Sequence, residues 1–279
     1  MSLRRAAVLL AGAWTATATA LTFPQTVEVD VVFPRNETYA PAAVFPVVFA
    51  FQNPALVPTL DPGFQLELWQ NIAHNNSLAL PDIDLGAVNF TNSTGPLYVY
   101  TYALNINTTN AGADASTQYN LAWSFSAGNC SASTTDSTEA ASFGGGFVFN
   151  NVIFTIAKEG GVAPSINTTD ADSCKDLSYL AFNLTGTLTV PDPTRQWDGH
   201  ASCAEFSDTM PTPASGNPCA ATADASVAAS IMAGATSSAC AAATPAISCP
   251  SKSAAMGAAV PVSVYTISAW TVLVFAMML

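Results

Sequence analysis

The chain has 279 residues, with 19 Asp and Glu against 7 Lys and Arg, and only 9% of its residues are charged while 50% are hydrophobic. Ordinary soluble domains carry about 25% charged residues, and a nucleic-acid binder needs a basic face for the phosphates, so that class is excluded. A disordered acidic tail is excluded too, because 10% aromatic residues are enough to bury a core.

The N-terminus places Arg4 and Arg5 ahead of an apolar run from Ala6 to Trp14 and then Ala18-Thr19-Ala20. A basic start, a short apolar stretch and an A-x-A site describe a secretory signal peptide, residues 1–20, cleaved after Ala20. The apolar run is too short to span the ~30 Å hydrocarbon core of a bilayer.

From Val27 to Val190 the hydrophobic period is two. Val27, Val29, Val31 and Phe33 alternate with Glu28, Asp30 and Val32; Phe64, Leu66 and Leu68 alternate with Gln65, Glu67 and Trp69. Tyr98, Tyr100, Tyr102 and Leu104 share one face, as do Tyr119, Leu121, Trp123 and Phe125, and Leu180, Phe182 and Leu184 continue to Leu188 and Val190. Successive strand side chains point to opposite faces, so each pattern predicts a strand with one buried and one solvated side. Val44 to Phe51 is nearly all apolar and predicts a strand covered on both faces, with Pro46 marking an edge or a bulge. Phe147 to Ile156 predicts another strand, with Asn150-Asn151 read as a bulge. The connections are rich in Pro, Gly, Asn and Asp. Seven or eight short strands joined in this way predict an all-β fold, an antiparallel β-sandwich over residues 21–191.

After Pro191 the composition shifts. Residues 192–243 hold Cys203, Cys219 and Cys240, and the Ala-rich run from Ala220 to Ala243 places Val227, Ile231 and Met232 on a narrow stripe. Alanine is the best helix former, so a helical appendage of roughly 12 to 16 residues packed on the sandwich is predicted; the rival reading is an O-glycosylated stalk. Residues 244–253 form a linker. Val260 to Leu279 is apolar and uncharged, and it follows a small-residue run around Ser253. Small residue, spacer and apolar tail describe a GPI-attachment signal, residues 254–279, with Ser253 as the attachment site and Ser251 and Gly257 as alternatives; a retained membrane helix is the rival. The mature chain then carries a net charge of −14.

Six cysteines (Cys130, Cys174, Cys203, Cys219, Cys240 and Cys249) in a secreted chain suggest three disulfides, and no close C-x2-C pair points to zinc. Cys130–Cys174 is the favoured pairing, since both fall among strands, with Cys203–Cys219 and Cys240–Cys249 as local options. N-glycosylation sequons stand at Asn36, Asn75, Asn89, Asn92, Asn107, Asn167 and Asn183, which suggests a glycan-coated surface. An eighth, at Asn129, has Cys130 as its middle residue and is set aside.

Candidate chemistry is thin. The two histidines, His74 and His200, have no G-x-S-x-G elbow to serve, so no catalytic residue is assigned. Glu28 and Asp30 share a strand face at a spacing that suits a carboxylate pair for glycoside hydrolysis, with Glu67 as a third candidate; the competing reading is a solvated acidic face. Asp82 and Asp84, and Asp170 and Asp172 with Asp176, lack the EF-hand pattern for calcium. No metal and no cofactor is expected. Trp69 on the outward side of its strand, beside Gln65 and Glu67, is the candidate carbohydrate contact, because an aromatic ring offers a sugar an apolar face with polar neighbours.

The stretch Val27-Glu-Val-Asp-Val-Val-Phe-Pro-Arg-Asn-Glu-Thr-Tyr-Ala-Pro41, then Phe45 to Pro54, Trp197-Asp198-Gly199 before Cys203, and Pro218-Cys219 resemble an uncharacterised family of secreted filamentous-fungal proteins, catalogued as a domain of unknown function. The resemblance runs from about Val27 to Cys240 and implies a fungal surface protein, often GPI-anchored; it implies no activity and no site residues. The expectation is therefore a non-catalytic, GPI-anchored glycoprotein of the cell surface or wall, structural or adhesive. Its partners would be wall polysaccharide or other surface proteins, and the membrane through its lipid. A carbohydrate-active enzyme, and a secreted protein that engages a host or competitor, are the alternatives.

Overall fold

The computed structural model describes residues 22–71, 77–93, 95–108, 116–167, 174–175, 177–191, 201–206 and 215–250. Among the described residues ten strands run in chain order: β1 (Gln25–Phe33), β2 (Thr38–Tyr39), β3 (Ala42–Gln52), β4 (Gly63–Gln70), β5 (Ser77–Leu78), β6 (Leu97–Ile106), β7 (Ser116–Ala132), β8 (Ala140–Ala157), β9 (Tyr179–Thr189) and β10 (Ser202–Phe206), followed by helix α1 (Ala225–Cys240). They make two five-stranded sheets, β10-β9-β1-β3-β6 and β2-β8-β7-β4-β5, antiparallel except for the short β2–β8 pairing.

The alternation read from the sequence explains the interior. Val27, Val29 and Val31 of β1 and Phe45, Phe49 and Phe51 of β3 meet Leu68, Leu121, Phe125 and Phe154 of the other sheet in one buried cluster. Aromatic rings knit the two layers: Phe49 lies 4.8 Å from Phe64 and 5.4 Å from Trp123, and Phe45 stacks on Phe154 at 5.1 Å. Such tilted and offset pairs add to the area each ring buries.

The β1–β3 sheet has a second cover. Helix α1 starts at Asp224, whose carboxylate accepts a hydrogen bond from the Val227 N–H at 2.8 Å, the usual use of an N-terminal Asp. Its Ile231, Ala235 and Ala239 are buried, and the last two pack with Tyr102, Tyr100 and Val44 on the outer face of β6 and β3. Gly234 stands where a methyl group would lie 2.0 Å from the Tyr100 hydroxyl; this close approach accounts for a glycine in a helix interior, which otherwise costs about 1 kcal/mol against alanine. Ahead of the helix, residues 215–223 form a strap across β1, and Tyr98 donates its hydroxyl hydrogen to the Thr222 carbonyl at 2.8 Å. Tyr98→Phe is expected to lower the unfolding free energy by about 1 kcal/mol, measured by urea titration.

Several expectations change on this frame. Val44 to Phe51 is indeed covered on both faces, but Glu28 and Asp30 are not a solvated face, because the strap buries them. The tyrosine stripe is the seat of α1. Pro46 pairs only with β6, beyond the reach of β1, so it sits where β3 is locally an edge. The bulge expected at Asn150-Asn151 is absent: β8 keeps one register with β7 there, and the irregularity falls at Ser131/Ala132 instead. Residues 202–206, expected in the appendage, supply β10, which pairs with β9 inside the sandwich. The disulfides are Cys130–Cys203, Cys174–Cys219 and Cys240–Cys249. The last agrees with expectation; the pairings Cys130–Cys174 and Cys203–Cys219 do not hold. Cys203 enters β10 directly beside β7, whereas Cys219 on the strap lies over the chain entering β9 and takes Cys174.

Candidate functional site

The outer face of the second sheet carries no helix or strap among the described residues. Cross-strand register builds it row by row: Gly63, Ser126 and Phe147; Gln65, Ser124 and Phe149; Glu67, Ala122 and Asn151; Trp69, Asn120 and Ile153. The central strand β7 contributes only short side chains there. Apart from Gly63, the flanking strands contribute mostly longer ones, so the face forms a trough along β7.

One wall is aromatic. Phe147 and Phe149 are 64% and 67% exposed and stand edge to face at 4.9 Å. Single exposed apolar residues are normal, but a paired aromatic platform on a strand is not required by packing. The other wall is polar: Gln65 and Glu67 are exposed, and Trp69 is half-buried at the far end, facing Asn120 and Ser77. Asn151 Nδ2 donates to Asn120 Oδ1 at 3.5 Å across the floor. A cavity of about 530 Å³ opens over Ser124 and Ala122, lined by Gln65, Glu67 and Phe149, and by Pro81 and Asp82 of the segment after β5. Strand geometry puts Phe149 and Trp69 roughly 16 Å apart on the diagonal.

Thus Trp69, Gln65 and Glu67 do share one solvated face, as the alternation predicts. Phe147 and Phe149 were missed, because in a Phe-Val-Phe run the smaller Val148 reads as the outward residue when the register is unknown. Glu67 does not join Glu28 and Asp30: it lies on the opposite sheet. Asp84 is committed to its own turn, accepting from the Gly86 N–H at 2.9 Å. Asp170, Asp172, Asp176, His74, Asp198 and His200 lie outside the described residues. Among the described residues no three His, Cys, Asp or Glu side chains gather to hold a metal ion.

The sequons at Asn36, Asn89, Asn107, Asn167 and Asn183 are exposed, whereas Asn129 is half-buried beside the Cys130–Cys203 bridge. None of the five lies on the trough strands β4, β7 and β8. The asparagines of the trough itself, Asn120 and Asn151, are not in sequons. Asn75, the side chain of Asn92, residues 1–20, Ser251, Ser253 and residues 254–279 lie outside the described residues. No helix among the described residues is long and apolar enough to cross a membrane.

Fold and site together define a disulfide-bonded β-sandwich with a helix-and-strap cover on one sheet and an open, aromatic-walled trough on the other. The chain belongs to the family described as a domain of unknown function, DUF7136, whose model matches residues 22–249. No curated protein and no solved structure matches the chain.

Proposed function

We propose that this protein is a non-catalytic glycoprotein of the fungal cell surface or wall, secreted and held by a GPI anchor, that binds wall polysaccharide in the trough along β7. The observation that carries the reading is the exposed Phe147–Phe149 pair opposite Gln65, Glu67 and Trp69. Hexose rings have apolar faces and polar rims; aromatic walls take the former and side-chain amides the latter. The trough strands carry none of the exposed sequons, which leaves this face open while glycans coat others. Three disulfides suit an oxidising, extracellular setting. The acidic lining of Glu67 and Asp82 in a chain of net charge −12 favours a neutral polymer over a polyanion.

The test is a depletion isotherm of the secreted, glycosylated chain on insoluble chitin, β-glucan and mannan. Saturable binding to one of them is expected. Phe149→Ala is expected to weaken it about tenfold, the equivalent of a 1.4 kcal/mol loss of stacking, and Trp69→Ala to weaken it less. Binding that both variants retain in full would move the site off this face.

A second reading has one observation in its favour: Glu67 and Asp82 line the same cavity, as the two carboxyl groups of a glycosidase would. Release of reducing sugar by the wild type and its loss in Glu67→Gln would establish it. Under the binding reading, Glu67→Gln alters affinity and no sugar is released by either protein.

A further inference from the structure

Glu28 and Asp30 project from the outer face of β1, yet only 3% and 0% of their surfaces are exposed. The strap seals them. The Asn217 N–H donates to Glu28 Oε2 at 2.7 Å, and Gln52 Nε2 donates both to Asp30 Oδ2 and to the Asn217 carbonyl, each at 2.9 Å. Gly216 fits between, where a methyl group would stand 2.7 Å from Glu28 Cδ and 2.5 Å from the Tyr179 ring. Cys219 ties the strap to Cys174.

After these bonds two atoms remain, Glu28 Oε1 and Asp30 Oδ1, each buried and without a partner. No basic side chain among the described residues bonds either carboxyl group. Two ionised carboxylates placed together and cut off from water are strongly disfavoured. One proton held between the two unpartnered oxygens removes one charge and supplies the missing hydrogen bond.

We propose that Glu28 and Asp30 share a single proton between Oε1 and Oδ1, and that this proton is the latch that keeps the 215–223 strap closed over the first sheet. The inference does not rest on the polysaccharide reading. Burial, and then the neighbouring Glu28, push the Asp30 carboxyl up to about 9, against the opposing pull of the Gln52 bond. The other titratable groups that face the pair are Tyr179 of β9 and Tyr98 of β6, with Asp224 beyond Tyr98. Burial, and then the Asp224 and Asp30 charges, hold Tyr98 up at about 12, so it stays neutral throughout the range that matters.

The direction of the pH dependence follows. A carboxyl group in the open strap gives up its proton near pH 4, whereas Asp30 under the closed strap keeps its proton to about pH 9. The latch's contribution is complete below the open-state value and is lost as pH rises through that window. The strap, and the helix that follows it, are therefore held tightest in acid.

The test is hydrogen exchange at the Asn217 amide of the intact secreted chain, corrected for the intrinsic rate, alongside the thermal midpoint. Closing that takes up one proton makes the opening constant rise roughly tenfold per pH unit between about pH 6 and 8, with a falling midpoint. In Asp30→Asn the amide supplies the hydrogen bond without a proton, and the slope is expected to flatten. Glu28→Gln gives the same flattening and decides the matter if the first variant does not fold. A pH-independent wild type, or an undiminished slope in the variants, would overturn the proposal. So would a midpoint raised by calcium and lowered by a chelator, since a cation would then occupy the place of the proton.

Discussion

Cys130→Ser together with Cys203→Ser is expected to lower the unfolding free energy by about 4 kcal/mol. The bridge joins β7 of one sheet to β10 of the other across 73 residues of sequence, and cross-linking a loop of that length withdraws roughly 4 kcal/mol of chain entropy from the unfolded state. It also tethers the small satellite cluster of Ala140, Leu188 and Val190. The Ala204 carbonyl lies 3.4 Å from the Cys130 sulfur and offers an acceptor to a serine hydroxyl there, so the loss is chiefly that of the cross-link. Calorimetry should show the midpoint fall by roughly 8–16 °C for a domain of this size. An unchanged midpoint would mean that the two sheets do not depend on this tie.

The second large effect belongs to Phe154→Ala, expected to cost about 3–5 kcal/mol. Phe154 is 1% exposed on the inner side of β8. Its ring stacks on Phe45 at 5.1 Å and on Tyr119 at 5.6 Å, and meets Tyr39 edge-on at 6.1 Å. Those partners come from β3, β7 and β2, so the hole left behind touches both sheets and has no single strand free to collapse into it. Urea unfolding followed by tryptophan fluorescence measures the loss, and a cost under about 1 kcal/mol would contradict this packing. At temperatures where the variant remains folded, the polysaccharide binding proposed for the trough should persist, because Phe149 and Asn151 point out of the opposite side of the same strand.

The interior of the sandwich was legible in the sequence because a period of two is a local signal. Val27, Val29, Val31, Leu121 and Phe125 all point where alternation places them. The short helix was legible for a similar reason: an alanine-rich run with a narrow apolar stripe is a local statement of helix. What escaped depends on contacts between distant residues. Glu28 and Asp30 read as solvated since the strap that buries them is bonded from Asn217, 189 residues away. Cys130 took Cys203 rather than Cys174 because β10 folds back beside β7, which no spacing reveals. Half of the trough was legible, Trp69 with Gln65 and Glu67. Its Phe147–Phe149 wall was not, since large aromatic residues in a strand are ordinarily core, and only the register with β7 assigns them to the outside.

The most direct test of the trough as the proposed binding face is a hydrogen-exchange footprint of the chain with and without a soluble oligosaccharide of the polymer on which the depletion isotherm shows saturable binding. Slower exchange in β4, β7 and β8 around residues 63–69, 120–126 and 147–153, with the first sheet and α1 unchanged, is the predicted result. Protection confined to the strap, the helix or the first sheet, with the trough strands unaltered, would contradict it.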